Sequence, residues 1–88
     1  MKILGYIVQY LDEDSLIPNG PGKRLFRSFS EAYTHAKELV QEWYLQNTPN
    51  ADGPVEYYEF TKQTLEAQHS ALLFRSACVF IWLEIVYE

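Results

Sequence analysis

Two histidines and a single cysteine are the side chains of this 88-residue chain best suited to chemistry near neutral pH. His35 stands four residues after Glu31, a spacing that puts both on one helix face and would permit a two-ligand metal corner or an acid–base pair. A metal site needs a third and usually a fourth ligand, and the other histidine, His69, has no sequence feature that brings it to His35. Cys78 opens an apolar run, where a thiol is normally buried and inert. Carboxylate pairs such as Glu38 with Glu42 and Glu56 with Glu59 are what any acidic surface supplies. The sequence therefore predicts no catalytic residue, no metal, no cofactor and a chain that is not an enzyme.

A second constellation concerns anions. Gly20-Pro21-Gly22-Lys23-Arg24 invites comparison with a phosphate loop, but the glycine spacing is short, no Ser or Thr follows Lys23, and Pro21 removes a backbone donor. The segment reads as a turn. Lys23, Arg24 and Arg27 nevertheless gather three of the seven basic residues within five positions. Such a cluster could receive a phosphate, a carboxylate or a nucleotide, and this is the alternative functional reading of the chain.

Charge limits the partners further. Seven Lys plus Arg stand against twelve Asp plus Glu, a formal charge of -5 that works against phosphate backbones and anionic lipid and argues against direct nucleic-acid binding. Aromatic residues make up 16% of the chain and seven of them are tyrosines, rings that enrich interface cores because each adds area with few rotatable bonds. One cysteine cannot form an intramolecular disulfide, which favours a reducing, cytoplasmic compartment. The N-terminal apolar run is broken by Gln9, and the run from Ala71 to Leu83 contains Arg75 and falls short of the about 20 apolar residues needed to cross a hydrocarbon core. Neither a signal peptide nor a membrane span is expected.

The elements that must position these residues can be read from periodicity. Ile3 to Leu11 is a strand with Ile3, Ile7 and Leu11 on one face and Leu4, Tyr6, Val8 and Tyr10 on the other. The stretch from Asp12 to Gly22 is a loop rich in turn formers, and Lys23 to Arg27 a short second strand. Ser28 and Glu31 fit a capping box that starts a helix, in which Ala32, Ala36, Leu39, Val40 and Trp43 form the apolar stripe and Asn47, Thr48 and Pro49 the stop. Pro54 to Lys62 alternates like a third strand. Thr64 to Leu73 reads as a short helix, with a hairpin return as its competitor. Cys78 to Tyr87 is nearly continuous in β-formers, the pattern of a central strand covered on both faces. The expectation is a single domain over residues 1–88, of α+β class and order ββαβ(α)β. Its mainly antiparallel four-stranded sheet carries one main helix on one face.

That architecture contains an imbalance. One helix of ~17 residues spans roughly 25 Å and covers one face of a small sheet, yet the first and last strands carry large apolar groups on both faces. The loop, the short helix, a second copy of the chain or another protein must cover the remainder. The sequence thus points to a stoichiometric protein-binding module of the inhibitor or adaptor type, a class that includes viral accessory proteins, with a homodimer expected as well. Its contact residues would be Tyr6, Tyr10, Tyr57, Tyr58 and Trp82, with Asp12, Glu13 and Asp14 setting charge preference.

Overall fold

A computed structural model describes residues 2–12, 24–47, 55–76 and 79–88. Three strands and two helices follow in the order β1 (Ile3–Asp12), α1 (Phe29–Asn47), α2 (Lys62–Gln68), β2 (Ser70–Arg75) and β3 (Val79–Tyr87). The strands form one antiparallel sheet of order β1-β3-β2. The class is α+β, but the sheet has three strands, which corrects the expected four-stranded ββαβ(α)β arrangement.

Two of the expected strands are not strands. Of the Lys23–Arg27 candidate, Lys23 lies outside the described residues, and what remains touches the sheet at one bridge, where Tyr6 and Phe26 exchange backbone hydrogen bonds of 2.8 Å each way. Residues 55–61 run alongside β2 and meet it through one backbone bond, from the Tyr58 N–H to the Leu73 carbonyl at 2.8 Å. The alternation holds from Val55 to Tyr58 and breaks at Glu59, which is exposed while Phe60 packs on the core, and alternation reports one-sided burial without itself supplying a ladder. The expected short helix is present as α2 but ends at Gln68, and the second strand that pairs with β3 begins at Ser70, within the last four residues of the stretch expected to be helical.

The division of that stretch has local causes. The Thr61 hydroxyl caps α2 by accepting from the Thr64 N–H at 3.2 Å. After seven helical residues the chain turns at His69, whose left-handed φ of 68° ends the helix and lets its N–H donate to the Leu65 carbonyl at 2.7 Å. Ser70-Ala-Leu-Leu-Phe-Arg75 then extends as β2. At the head of α1 the expected cap is present, with the Ser28 Oγ accepting from the Glu31 N–H at 3.1 Å.

The core lies on one face of the sheet. Val8 of β1, Ile81, Leu83 and Ile85 of β3, and Ala71 and Leu73 of β2 meet Ala32, Ala36 and Val40 of α1 and Leu65 of α2 in one apolar cluster. The alanines at four-residue spacing let α1 lie close to the strands, as the stripe predicted. Phe29, Tyr33 and Phe60 extend this cluster through edge-on and stacked ring contacts 5.2–6.1 Å between centroids. β3 takes the middle of the sheet, where both of its edges are paired, in keeping with its continuous run of β-formers.

One departure concerns faces. The β1–β3 register shifts between Ile3 and Gly5, so Leu4 is the extra residue of a bulge. Ile3 consequently packs against the core while Leu4 is exposed, the reverse of the simple alternation. Gly5 follows because the Leu25–Phe26 segment crosses it closely: a Cβ there would overlap the Phe26 carbonyl oxygen and lie 2.8 Å from the Leu25 Cδ1.

Candidate functional site: the second face of the sheet

Pairing partners share a face, so the register defines the side turned away from the helices. It carries Ile7, Gln9 and Leu11 from β1 and Phe80, Trp82, Glu84 and Val86 from β3, with Leu72 and Arg75 of β2 along its border. The β1 and β3 members are all half-buried and Leu72 is 36% exposed. Neither helix packs here, since the buried residues of both belong to the cluster on the other side. Among the described residues, Leu25 crosses Gly5 at the corner nearest the start of β1.

Within this apolar field lies one organised polar group. The Glu84 carboxylate accepts from the Trp82 indole N–H at 2.7 Å and from the Gln9 amide at 3.3 Å, a fan that bridges β1 and β3. It satisfies the indole, the polar edge of the largest ring on the face, and fixes that ring's orientation. At the border, the Arg75 guanidinium stands 5.6 Å from the centroid of Phe80, its cross-strand neighbour. The result is an ordered aromatic and aliphatic surface with its central charge already hydrogen-bonded.

No family model, curated protein or solved structure matches this chain.

The residues expected to bind a partner are dispersed. Trp82 is on the second face. Tyr6 is 3% exposed and packs edge-on against Phe29 inside the core, so it has no contact area to offer. Tyr10 lies on the core side of β1, in a cleft of about 230 Å³ with Leu39 and Trp43 of α1. Tyr57 and Tyr58 sit on the 55–61 segment: the Tyr57 hydroxyl donates to the Gln41 Oε1 at 3.2 Å, while Tyr58 is 55% exposed. Burial first, and the neighbouring Tyr33 second, hold the Tyr57 phenol above its ordinary pKa of 10.0. Asp12 ends β1 opposite Val79; its side chain, and all of Glu13 and Asp14, lie outside the described residues.

The anion-binding alternative fares differently. Lys23 is outside the described residues, and Arg27 is exposed. The Arg24 guanidinium stacks 4.7 Å over Phe26, whose ring centroid is 5.1 Å from that of His35. Arg24 lines a cleft of about 410 Å³, which it shares with Glu31 and Glu38, and two carboxylates there oppose the arrival of an anion. His35 and Glu31 do share this cleft, as their spacing predicted. His69 is spent elsewhere, with its Nδ1 2.6 Å from the Tyr87 hydroxyl. Cys78 lies outside the described residues, and among those described no three of His, Cys, Asp and Glu converge as a metal site would need. No helix among them is long and apolar enough to cross a membrane.

The sequence reading named one member of the second face and missed the others as site residues. The signal was present in two places. Apart from Gln9 and Glu84, the positions from Ile7 to Leu11 and from Phe80 to Val86 that share this face are apolar, and only the register shows that they make one surface.

Proposed function

We propose that this protein is a stoichiometric binding module whose working surface is the second face of the sheet, with Trp82 as its central anchor and another protein as its partner. The observation that carries the reading is the concentration of Ile7, Leu11, Leu72, Phe80, Trp82 and Val86 on a face that no described element covers. A contiguous apolar patch of this kind on a small domain marks an interaction surface. Trp and Arg are the residue types that most often carry interface energy, and both stand here in defined orientations.

The chemistry of the partner follows from the charges. Glu84 is engaged within the face, and the chain as a whole is acidic. The complementary surface is therefore apolar at its centre and basic at its rim, which steers encounter at low salt. A second copy of the chain is the competing occupant, because it would present the same apolar face. The test combines the mass of the assembled protein with substitution on the face. Trp82→Ala should weaken a complex by about 2 kcal/mol or more while leaving the fold intact. A complex indifferent to Trp82 and Phe80 would overturn the assignment, and a mass of two identical chains would give the face to self-assembly.

A further inference from the structure

Within the apolar field of the second face stands one carboxylate, and it has no counter-ion of its own. Glu84 is half-buried between Ile7 of β1 and Ser70 of β2, its neighbours in the register, with Trp82 and Val86 on either side along β3. Among the described residues no lysine or arginine lies within ion-pairing distance of it. Arg75, the cation on the border of the face, pairs with Phe80, four residues away along β3 and therefore about 13 Å distant at the rise of an extended strand. Water and salt screen most of an attraction over that separation. The two hydrogen bonds that Glu84 accepts are divided between its oxygens, the Trp82 indole N–H on Oε1 and the Gln9 amide on Oε2. Both donors are neutral, so they orient the group and leave its charge uncompensated. An ionised carboxylate has about four acceptor positions, so further positions remain on each oxygen, the pattern that two parallel N–H groups of a guanidinium fill.

We propose that Glu84 is the specificity-determining residue of the second face and that it receives an arginine side chain of the partner protein. This role rests on the second face being the working surface, and it adds one cation within the otherwise apolar centre of the complementary surface. A wholly apolar partner would take the carboxylate out of water without a counter-charge, and that desolvation opposes binding. Arginine is favoured over lysine because its planar fork matches the open positions on the two oxygens and its flat face stacks on an indole such as the adjacent Trp82. The net charge of -5 attracts the same sign of partner group.

The test uses the isolated chain and Nα-benzoyl-arginine amide, which joins a guanidinium to an apolar ring. Nα-benzoyl-citrulline amide keeps the shape and replaces the guanidinium with a neutral urea. A titration is followed by the Trp82 indole N–H resonance, assigned by its loss in Trp82→Phe. The arginine compound should give a saturable shift, and the citrulline compound should bind about tenfold more weakly. Glu84→Gln keeps an acceptor for the indole N–H but not the charge, and should lower affinity for the arginine compound about tenfold. Equal binding of the two compounds, no saturable response, or unchanged affinity in Glu84→Gln would overturn the proposal and leave Glu84 as a group that orients Trp82. An isolated chain that is already a dimer, and that Arg75→Ala dissociates, would assign the cation to a second copy and overturn the partner's arginine. Loss of the native complex in Phe80→Lys, with no difference between the two compounds, would remove the role of Glu84 alone. A complex that survives Phe80→Lys would remove the reading of the face itself, so the two failures are told apart.

Discussion

The two faces of this sheet are built from the same strands and nearly the same residue types, yet they are treated in opposite ways. On the helix side Ile81 and Leu83 of β3 are wholly buried beneath the α1 alanines and Leu65 of α2. On the other side Phe80, Trp82 and Val86 keep part of their surface, and the indole N–H is satisfied by a neighbouring carboxylate. Apolar content therefore does not distinguish the core from the proposed contact surface. What distinguishes them is whether an element among the described residues packs across, and whether polar edges are hydrogen-bonded in advance.

Substitutions in β3 give the largest and sharpest contrast. Leu83→Ala removes a side chain with no exposed surface and should cost about 3 kcal/mol of stability in denaturant unfolding. Trp82→Ala, one position away, should cost about 1 kcal/mol or less in the isolated chain, because a half-buried side chain loses less contact on truncation. Equal losses at the two positions would mean that Trp82 is a core residue and would break the comparison.

Next in size is Gly5→Ala, for which a loss of about 2 kcal/mol is expected from the overlap with the Phe26 carbonyl and Leu25. This is the corner where the second face is closed by the chain itself, so the cost should exceed that of alanine at the open Ile7 position. Thr61→Ala should remove about 1 kcal/mol through loss of the α2 cap, measurable as a lower melting temperature. It acts on the helix-covered side and should leave Trp82-dependent binding untouched.

The smallest effect concerns alkaline pH. Tyr57 holds its proton more tightly in the folded chain than in the unfolded one, so its contribution to stability is complete below pH 10.0 and fades as pH rises through the raised folded value. Tyr57→Phe should lessen the decline of stability above pH 10.0, and an unchanged slope would dismiss that contribution.

Much of the fold was legible because it is written in single long patterns. β1, α1 and β3 each contain enough periods for the code to be unambiguous, and the Ser28 cap marks the helix start. The central position of β3 followed from its unbroken apolar run. Between residues 55 and 75 only the short helix was legible, with its bounds shifted, because short elements compete there. A seven-residue helix capped by Thr61 and closed by a left-handed His69 leaves only six residues for β2, and the expected helix from Thr64 to Leu73 overlaps the end of one and the start of the other. The alternation holds over 55–58 and then breaks, with Glu59 exposed and Phe60 packed against the core, and the expected pairing is absent because a ladder depends on a neighbour that local sequence does not show.

The site was less legible than the fold for a related reason. Tyrosine abundance drew attention to Tyr6, which the close approach of Phe26 and Phe29 places in the core. The apolar members of the second face, Ile7, Leu11, Phe80 and Val86, become a surface only through the β1–β3 register. Glu84 gains its role from the same register, which sets Gln9 opposite Trp82 and brings its amide within reach of the carboxylate.

The most direct measurement is the native mass of the protein purified gently from its own cells, compared with that of Phe80→Lys prepared in the same way. The account predicts that the parent carries the added mass of a partner protein and that Phe80→Lys, still folded by circular dichroism, loses it. A parent recovered as the bare single chain, or a complex that survives Phe80→Lys unchanged, would contradict the claim that the second face is the working surface.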